Sequence, residues 1–218
     1  MNKQYAVIGL GRFGSGIVNT LMNHGNEVLA IDLDENRINE FADIATHAVI
    51  ADSTNEEALR EIGIGNFETV IVAIGNDMQS SILSTLVLSE LKINKIVAKA
   101  LDKRHGDVLK KVGAHWVVYP DKDMGERVAH QLMSPNVLNF IELAQNYSIE
   151  EIKVPSQMVG KSIKDIDIRV EFNLTVIAIK SNGVVNISPS PDEVVQAGDV
   201  LVMIGENRDL QRFSSVGG

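Results

Sequence analysis

The sequence predicts an α/β fold in which a doubly wound parallel sheet is followed by a small α+β module. Short, nearly continuous apolar runs alternate with helical patterns over the first 120 residues. A glycine-rich turn at 9–14 directly follows the first of these runs, and the alternation ends at Pro120. Continuous apolar strands that alternate with helices are typical of a parallel sheet covered on both faces.

The order of elements in this first part predicts the strand order 3-2-1-4-5-6, because parallel strands are joined by right-handed crossovers. We expect Asp34 to cap the second helix, Thr54 and Glu57 to form a capping box, and Trp116 to be buried. The predicted strands are Tyr5–Ile8, Val28–Ile31, Ala48–Ala51, Val70–Ile74, Ile96–Ala100 and Trp116–Tyr119, and the predicted helices are 12–24, 35–43, 55–62, 78–91 and 103–112.

Three domains follow from these patterns: a nucleotide-binding domain at 1–120, connector helices at 121–144 and the small domain at 145–218. The connector is predicted as one helix over 121–133 and a second over 137–143, separated by Pro135. Asn182-Gly183 predicts a hairpin turn, because both positions of such a turn need positive φ. The small domain is predicted to contain a strand at 149–154, a helix near 162–166, a hairpin of 174–180 with 184–187, a strand at 200–204 and a helix ending near 213.

Composition excludes several classes of protein. The 218 residues contain 20 basic and 29 acidic side chains, and the net charge of −9 is spread over both parts, so we expect no nucleic-acid partner. The absence of cysteine excludes disulfides and thiolate metal sites. No apolar run reaches 18 residues and a strand begins at the amino terminus, so we expect a cytoplasmic protein without a signal peptide.

The segment Gly9-Leu10-Gly11-Arg12-Phe13-Gly14 predicts a phosphate-binding turn. Gly9 permits the tight turn, Gly11 lets the backbone approach a phosphate, and Gly14 lets helix and sheet pack closely. Asp32 lies 21 residues after Gly11, where a carboxylate accepts hydrogen bonds from the ribose hydroxyls. The alternative is that the glycines only shape a turn and that Asp32 only caps a helix.

Other strand ends point into the same crevice, because carboxyl ends of parallel strands form the ligand site of such sheets. We expect Asp52 to face an adenine amino group and Arg12 or Lys99 to face phosphates. The alternatives are helix capping by Ser53, Thr54, Asn76 or Asp77, and a solvated Lys99. The predicted cofactor-binding residues are Gly9, Gly11, Arg12, Phe13, Gly14, Asp32, Asp52, Ser53, Thr54, Ile74, Gly75, Asn76 and Lys99.

The sequence indicates binding rather than catalysis. The five histidines show no spacing typical of a relay or metal site, and surface or capping roles are expected for them. No Gly-x-Ser-x-Gly, His-Glu-x-x-His or Walker lysine motif is present. The alternative is a small NAD(H)-dependent oxidoreductase or an NAD-sensing regulator, which would need a proton donor beside the nicotinamide.

At this point the residues resemble a known family. The run Ala6-Val7-Ile8-Gly9-Leu10-Gly11-Arg12-Phe13-Gly14, then Asp32 and Ala51-Asp52-Ser53-Thr54, resembles the RCK (KTN) domain family, whose first domain is Rossmann-like. The segments at 113–125, 159–163 and 198–201 are similar to the end of that domain and to the RCK-C (TrkA-C) domain. The resemblance covers essentially the whole chain and is strongest to cytosolic regulatory (gating) subunits of bacterial Ktr potassium uptake systems.

The resemblance implies a ring, typically an octamer built from dimers, beneath a separate potassium-translocating membrane subunit, with ATP and ADP competing for the crevice. It implies that an acid after the sixth strand, here Asp121, helps to hold a divalent cation beside the γ-phosphate. It also implies a cyclic di-AMP site where two RCK-C domains pair. The residues matching that site are Ile163, Ile168, Arg169, Asn173 and the Pro189–Pro191 loop.

Overall fold

Two sheets organise residues 3–133 and 136–216, which are the residues that this computed structural model describes. The chain divides between Met124 and Gly125 into two units, each with one sheet. None of the described helices is long and apolar enough to cross a lipid bilayer.

The first sheet has six parallel strands in the order β3-β2-β1-β4-β5-β6, as predicted. Because β1 pairs with both β2 and β4, the winding direction reverses beside β1, and the carboxyl ends of these strands open a crevice there. The strands are β1 Gln4–Ile8, β2 Glu27–Asp32, β3 His47–Ile50, β4 Thr69–Val72, β5 Lys95–Lys99 and β6 Trp116–Val118.

Helices cover both faces of this sheet, as its continuously apolar strands require. Ala6 and Ile8 belong to one buried cluster, and Val7 between them belongs to another. Neighbouring residues of each central strand therefore fill opposite cores. The helices are α1 Arg12–Asn23, α2 Glu35–Phe41, α3 Glu56–Glu61, α4 Met78–Glu90 and α5 Lys103–Lys111.

Two expectations for this unit are wrong. Asn55, not Thr54, caps α3: its side-chain oxygen accepts hydrogen bonds from the backbone N–H groups of Glu57 at 2.9 Å and Ala58 at 3.3 Å. Trp116 is 57% exposed, because it lies on the edge strand β6, and the Nζ of Lys95 lies 5.8 Å from its ring centroid. Asp34 does cap α2, by accepting from the N–H of Asn36.

Helix α6, Pro120–Met133, begins where the first sheet ends. Pro120 suits the first helical position, where no intrahelical partner for an N–H is needed. Met124, Val128 and Leu132 recur every four residues and form an apolar stripe on α6, and they are 53%, 48% and 76% exposed. The stripe is therefore not covered by the described residues of its own chain.

The second sheet has five strands, is antiparallel throughout and has the order β10-β9-β11-β8-β7. Its helices pack with it around one buried cluster, which includes Ile152, Leu201, Met203, Leu210 and Phe213. The elements are β7 Val137–Ala144, β8 Tyr147–Lys153, α7 Ile163–Ile166, α8 Ile168–Phe172, β9 Thr175–Ser181, β10 Val184–Ile187, β11 Val200–Glu206 and α9 Asn207–Ser214.

The hairpin turn is confirmed, with φ of 49° at Asn182 and 82° at Gly183. The second connector helix is wrong: 137–144 forms the edge strand β7, which pairs with β8 from Val137 to Ala144. The apolar spacing of this segment fits a helix, but pairing with β8 satisfies the backbone groups on one side of the strand and leaves Ile141 62% exposed. Pro135 lies outside the described residues.

Candidate functional site

A crevice of about 440 Å³ lies at the carboxyl ends of the parallel strands. It contains every predicted cofactor-binding residue except Gly14, which packs beneath it. The lining residues that the sequence predicted are Gly9, Gly11, Arg12, Phe13, Asp32, Asp52, Ser53, Thr54, Ile74, Gly75, Asn76 and Lys99. The sequence did not point to Leu33, Arg37 or Ser80, which also line it.

The glycine turn has the geometry that its spacing predicts. Gly9 has φ of +92°, a conformation that side chains rarely adopt. A Cβ on Gly14 would lie 1.9 Å from the carbonyl oxygen of Gly9, so only glycine lets α1 come this close to the turn. A Cβ on Gly11 would meet open space, which leaves room for a ligand against the backbone.

The amino terminus of α1 lies at this turn and is suited to an anion. Its N-cap residue, Gly11, supplies no side-chain hydrogen bond, and the first turn contains no acidic residue. The free N–H groups and the helix dipole together favour negative charge there. Arg12 is exposed at the first position of the helix and adds a full positive charge.

Asp32, at the end of β2, joins the two sides of the crevice. Its Oδ2 accepts a hydrogen bond from the N–H of Leu10 in the glycine turn at 2.6 Å, and its Oδ1 accepts one from the N–H of Asp34 at 3.0 Å. Its side chain is only 9% exposed. The cap of α2 is Asp34, so helix capping does not account for Asp32.

The residues at the other strand ends line the crevice and also make hydrogen bonds within the chain. Asp52 accepts from both the N–H and the Oγ1 of Thr54, at 2.9 and 2.7 Å, which fixes the turn after β3. Ser53 is buried and its hydroxyl lies 2.7 Å from that of Ser84. Asp77 caps α4, as one prediction had it, through the N–H and the hydroxyl of Ser80, and these hydrogen bonds lower its pKa.

Lys99 lines the crevice near Phe13 of the glycine turn. Its side chain is 14% exposed, and its Nζ lies 3.8 Å from Asp121 Oδ2 and 5.8 Å from the ring centroid of Phe13. It is therefore not the solvated lysine of the alternative reading. The arrangement puts a largely desolvated cation beside the glycine turn, where a phosphate would neutralise it.

Asp121 is the residue that the family resemblance assigns to a divalent cation. It is 81% exposed, and the described residues contain no cluster of three potential metal ligands around it. Mg²⁺ is commonly bound by one or two carboxylates together with substrate phosphates and water. The exposed carboxylate of Asp121 is a group of the type that such a site uses.

In the second unit, two backbone hydrogen bonds bring together parts of the predicted cyclic di-AMP site. The N–H of Ile163 donates to the carbonyl of Glu193 at 2.9 Å, and that of Lys164 donates to the carbonyl of Pro191 at 2.8 Å. Arg169 is exposed at α8. The remaining residues have partners within the chain: Ile168 is 2% exposed and the amide of Asn173 donates to Asp209.

The surface role is wrong for one histidine. His105 is 1% exposed; its Nδ1 accepts a hydrogen bond from the N–H of Leu101 at 3.3 Å, and its Nε2 has no partner among the described residues. Burial lowers the pKa of this imidazole, against the opposing effect of Asp102. Leu109, four residues later and also fully buried, marks the same helix face and was the available sequence signal.

Comparison with known proteins matches one domain family to each unit. The TrkA-N domain family matches residues 5–120 and the TrkA-C domain family matches residues 149–216. Two proteins of Bacillus subtilis strain 168 are 46% identical to the chain. Ktr system potassium uptake protein C aligns over 98% of this chain and 96% of its own, and protein A aligns over 99% and 97%.

A solved structure of GsuK bound to ADP is similar to part of the chain. It is 27% identical with a TM-score of 0.51, and the match covers 61% of this chain and 34% of that one. The similarity thus spans about a third of the GsuK chain. With two domain families matched in order and relatives aligned from end to end, the chain belongs to the RCK family, as a TrkA-N domain followed by a TrkA-C domain, together with the Ktr system potassium uptake proteins.

Proposed function

We propose that this chain is a cytoplasmic, non-enzymatic regulatory subunit of a potassium uptake system, which binds ATP and ADP in the crevice and controls a separate potassium-translocating membrane subunit. The observation that carries the proposal is the crevice itself, in a chain 46% identical to Ktr system potassium uptake proteins over nearly its full length. Association with the membrane comes through that partner.

The charges in the crevice match an adenine nucleotide placed lengthwise. Asp32 lies at the end of β2, where ribose hydroxyls bind in such sheets. Arg12 and Lys99 flank the glycine turn, where phosphates bind at the start of α1. The similarity to GsuK bound to ADP supports this choice of ligand. ATP brings a divalent cation, to which Asp121 contributes its carboxylate.

The exposed stripe of α6 supports assembly of the chain into dimers and then into an octameric ring. Met124, Val128 and Leu132 are each about half or more exposed, and apolar side chains in a row on one helix gain free energy when a second copy covers them. Leu83 and Leu86 on α4 are also exposed, at 39% and 37%, and offer a second contact surface for a ring.

Cyclic di-AMP is the ligand we propose for the TrkA-C domain, at an interface between two copies. A two-fold axis would present one Arg169 from each chain to a ligand that has two phosphates and two adenines. Ile163 and the Pro189–Pro191 loop are held together by the backbone hydrogen bonds at Ile163 and Lys164 and form one wall. Because Ile168 is buried, it supports α8 from below in each chain.

Thermal shift of the purified chain against ATP, ADP, NADH, NADPH and cyclic di-AMP tests this function, since a ligand that binds only the folded state raises the unfolding midpoint. We expect ATP, ADP and cyclic di-AMP to raise it. NADPH should have little effect, because Asp32 would face its 2′-phosphate. A shift with NADH and none with ATP or ADP would overturn the proposal and favour the NAD(H)-dependent alternative.

A further inference from the structure

Arg37 is a cation at the end of the crevice that contains the acid Asp32. At the phosphate end, Arg12 and Lys99 have an evident role, but Arg37 lines the crevice beside Asp32. Its side chain is 45% exposed, so it is accessible from the crevice. Neither the glycine motif nor the ribose carboxylate gives a reason for a guanidinium at this position.

The contacts of Arg37 link it to the ribose-binding carboxylate. Its Nη1 lies 3.3 Å from Asp32 Oδ2, and its Nε lies 3.6 Å from Asp34 Oδ2. Asp34 is fixed because it caps α2, the helix that also carries Arg37. Asp32 Oδ2 in turn accepts the short hydrogen bond from Leu10 in the glycine turn. The guanidinium, the carboxylate and the turn therefore form one connected cluster.

We propose that Arg37 is a positioning residue for ribose recognition, acting through Asp32; this rests on the proposed binding of adenine nucleotides. A carboxylate has about four acceptor positions. In Asp32 the N–H groups of Leu10 and Asp34 and the guanidinium of Arg37 supply donors, which fix the orientation of the group. One of the acceptor positions, on Oδ1, remains for a ribose hydroxyl, which meets a carboxylate that does not have to reorganise on binding.

The charge balance distinguishes this role from direct binding of a 2′-phosphate. One guanidinium is shared between the carboxylates of Asp32 and Asp34, so the cluster keeps one net negative charge. A 2′-phosphate placed there would be repelled. Asp32 and Asp34 together thus favour a free ribose diol over a 2′-phosphorylated ribose, because the single charge of Arg37 does not neutralise both of them.

The test compares ATP with 2′,3′-dideoxy-ATP, which lacks both ribose hydroxyls, by calorimetry on the wild-type chain and Arg37→Met. We expect Arg37→Met to weaken ATP about three- to tenfold, as for one modest hydrogen bond. The same substitution should leave the affinity for dideoxy-ATP unchanged. Arg37→Lys should recover part of the ATP affinity, because it keeps the charge but loses the forked geometry.

Arg60→Met is the matched control, because Arg60 pairs with Glu56 at 2.6 Å on α3 and does not line the crevice. Unfolding midpoints without nucleotide check that each variant is folded. Equal weakening of ATP and dideoxy-ATP, or unchanged ATP affinity, would overturn the role of Arg37 alone. The role of Arg37 would also be overturned if NADPH bound the wild-type chain as tightly as NADH and if Arg37→Met abolished that NADPH binding. A wild-type chain that binds neither ATP nor ADP would instead overturn the proposed function.

Discussion

The two units use sheets of opposite kind, and the difference decides where a ligand can bind. The first sheet is parallel and separates two buried clusters, so its strand ends and following loops meet at one edge. The second sheet is antiparallel and shares one buried cluster with its helices. Its turns are divided between both ends of the sheet, because successive strands run in opposite directions.

This contrast teaches that a single chain builds the first site, whereas the proposed second site needs two chains. The crevice residues come from loops that follow β1, β2, β3, β4 and β5, and all of them belong to one unit. In the second unit, the residues matched to the cyclic di-AMP site are partly buried or hydrogen-bonded within the chain, whereas Arg169 is exposed. The following experiments test this difference between a site within one chain and contacts between two chains.

The largest effect is expected from Val128→Asp, in the exposed stripe of α6. If a second copy covers the stripe, an ionised carboxylate there costs on the order of several kcal/mol of association free energy. Light scattering should show a much smaller mass than for the wild type. Ala129→Asp, exposed on the same helix but outside the stripe, is the control and should keep the wild-type mass. A wild-type mass near 23.8 kDa at micromolar concentration would contradict assembly altogether.

Arg169→Ala tests whether the second unit needs two chains. Each chain would lose a charge-assisted hydrogen bond worth about 1.5–3 kcal/mol of binding free energy. Because a symmetric ligand contacts both chains, this loss occurs twice for each bound ligand. Calorimetry should show much weaker cyclic di-AMP binding, unchanged ATP binding, and one cyclic di-AMP per two wild-type chains. One ligand per chain would be the contradicting result. Arg208→Ala removes an exposed arginine of the same unit and serves as the control.

Asp32→Ala tests the single-chain site. Removing the carboxylate should weaken both ATP and ADP by roughly 1–3 kcal/mol, because hydrogen bonds to the ribose are lost. Cyclic di-AMP binding should not change. Asp43→Ala, an exposed acid outside the crevice lining, should leave all three affinities at the wild-type value. Calorimetric affinities for ATP and ADP that do not change in Asp32→Ala would refute the assignment.

The smallest effect concerns pH: both units lose stability as the pH falls, but over different ranges of pH. Burial lowers the pKa of His105 below its usual 6.5, so the unfolded chain takes up a proton first as the pH falls. The first unit should therefore lose stability below about pH 6.5, by at most about 1.4 kcal/mol for each unit of pKa shift. His105→Asn, which retains an acceptor for the N–H of Leu101, should flatten this dependence in unfolding curves.

In the second unit, the hydrogen bond from Lys180 lowers the pKa of Glu151 from its usual 4.5. The stability from this pair is present above pH 4.5 and is lost as the pH falls through the lower, folded value. Glu151→Gln should therefore lower the free energy of unfolding at neutral pH, and this effect should become progressively smaller in acid. Hydrogen exchange measured separately for the two sheets should show that amide protection in the first sheet weakens near pH 6. In the second sheet, amide protection should weaken only below pH 4.5.

Much of the first unit could be predicted because its signals are local. Glycine spacing, an acid at the end of the second strand and continuous apolar runs are properties of short segments, and right-handed crossovers then fix the strand order. The secondary structure of the antiparallel unit was harder to predict from the sequence. In 137–143 the apolar spacing suits a helix, and only pairing with β8 makes the segment a strand.

The sequence by itself determined the sheet topology of the first unit, the tight glycine turn at Gly9–Gly14 and the position of Asp32 at the end of β2. Tertiary structure decided which side chains meet: Arg37 reaches Asp32 from a different element, His105 is buried and Trp116 is exposed on an edge strand. Periodicity reports which residues share a face of their own helix or strand. It carries no information on what covers that face, because burial and ion pairing depend on neighbours that are distant in the chain.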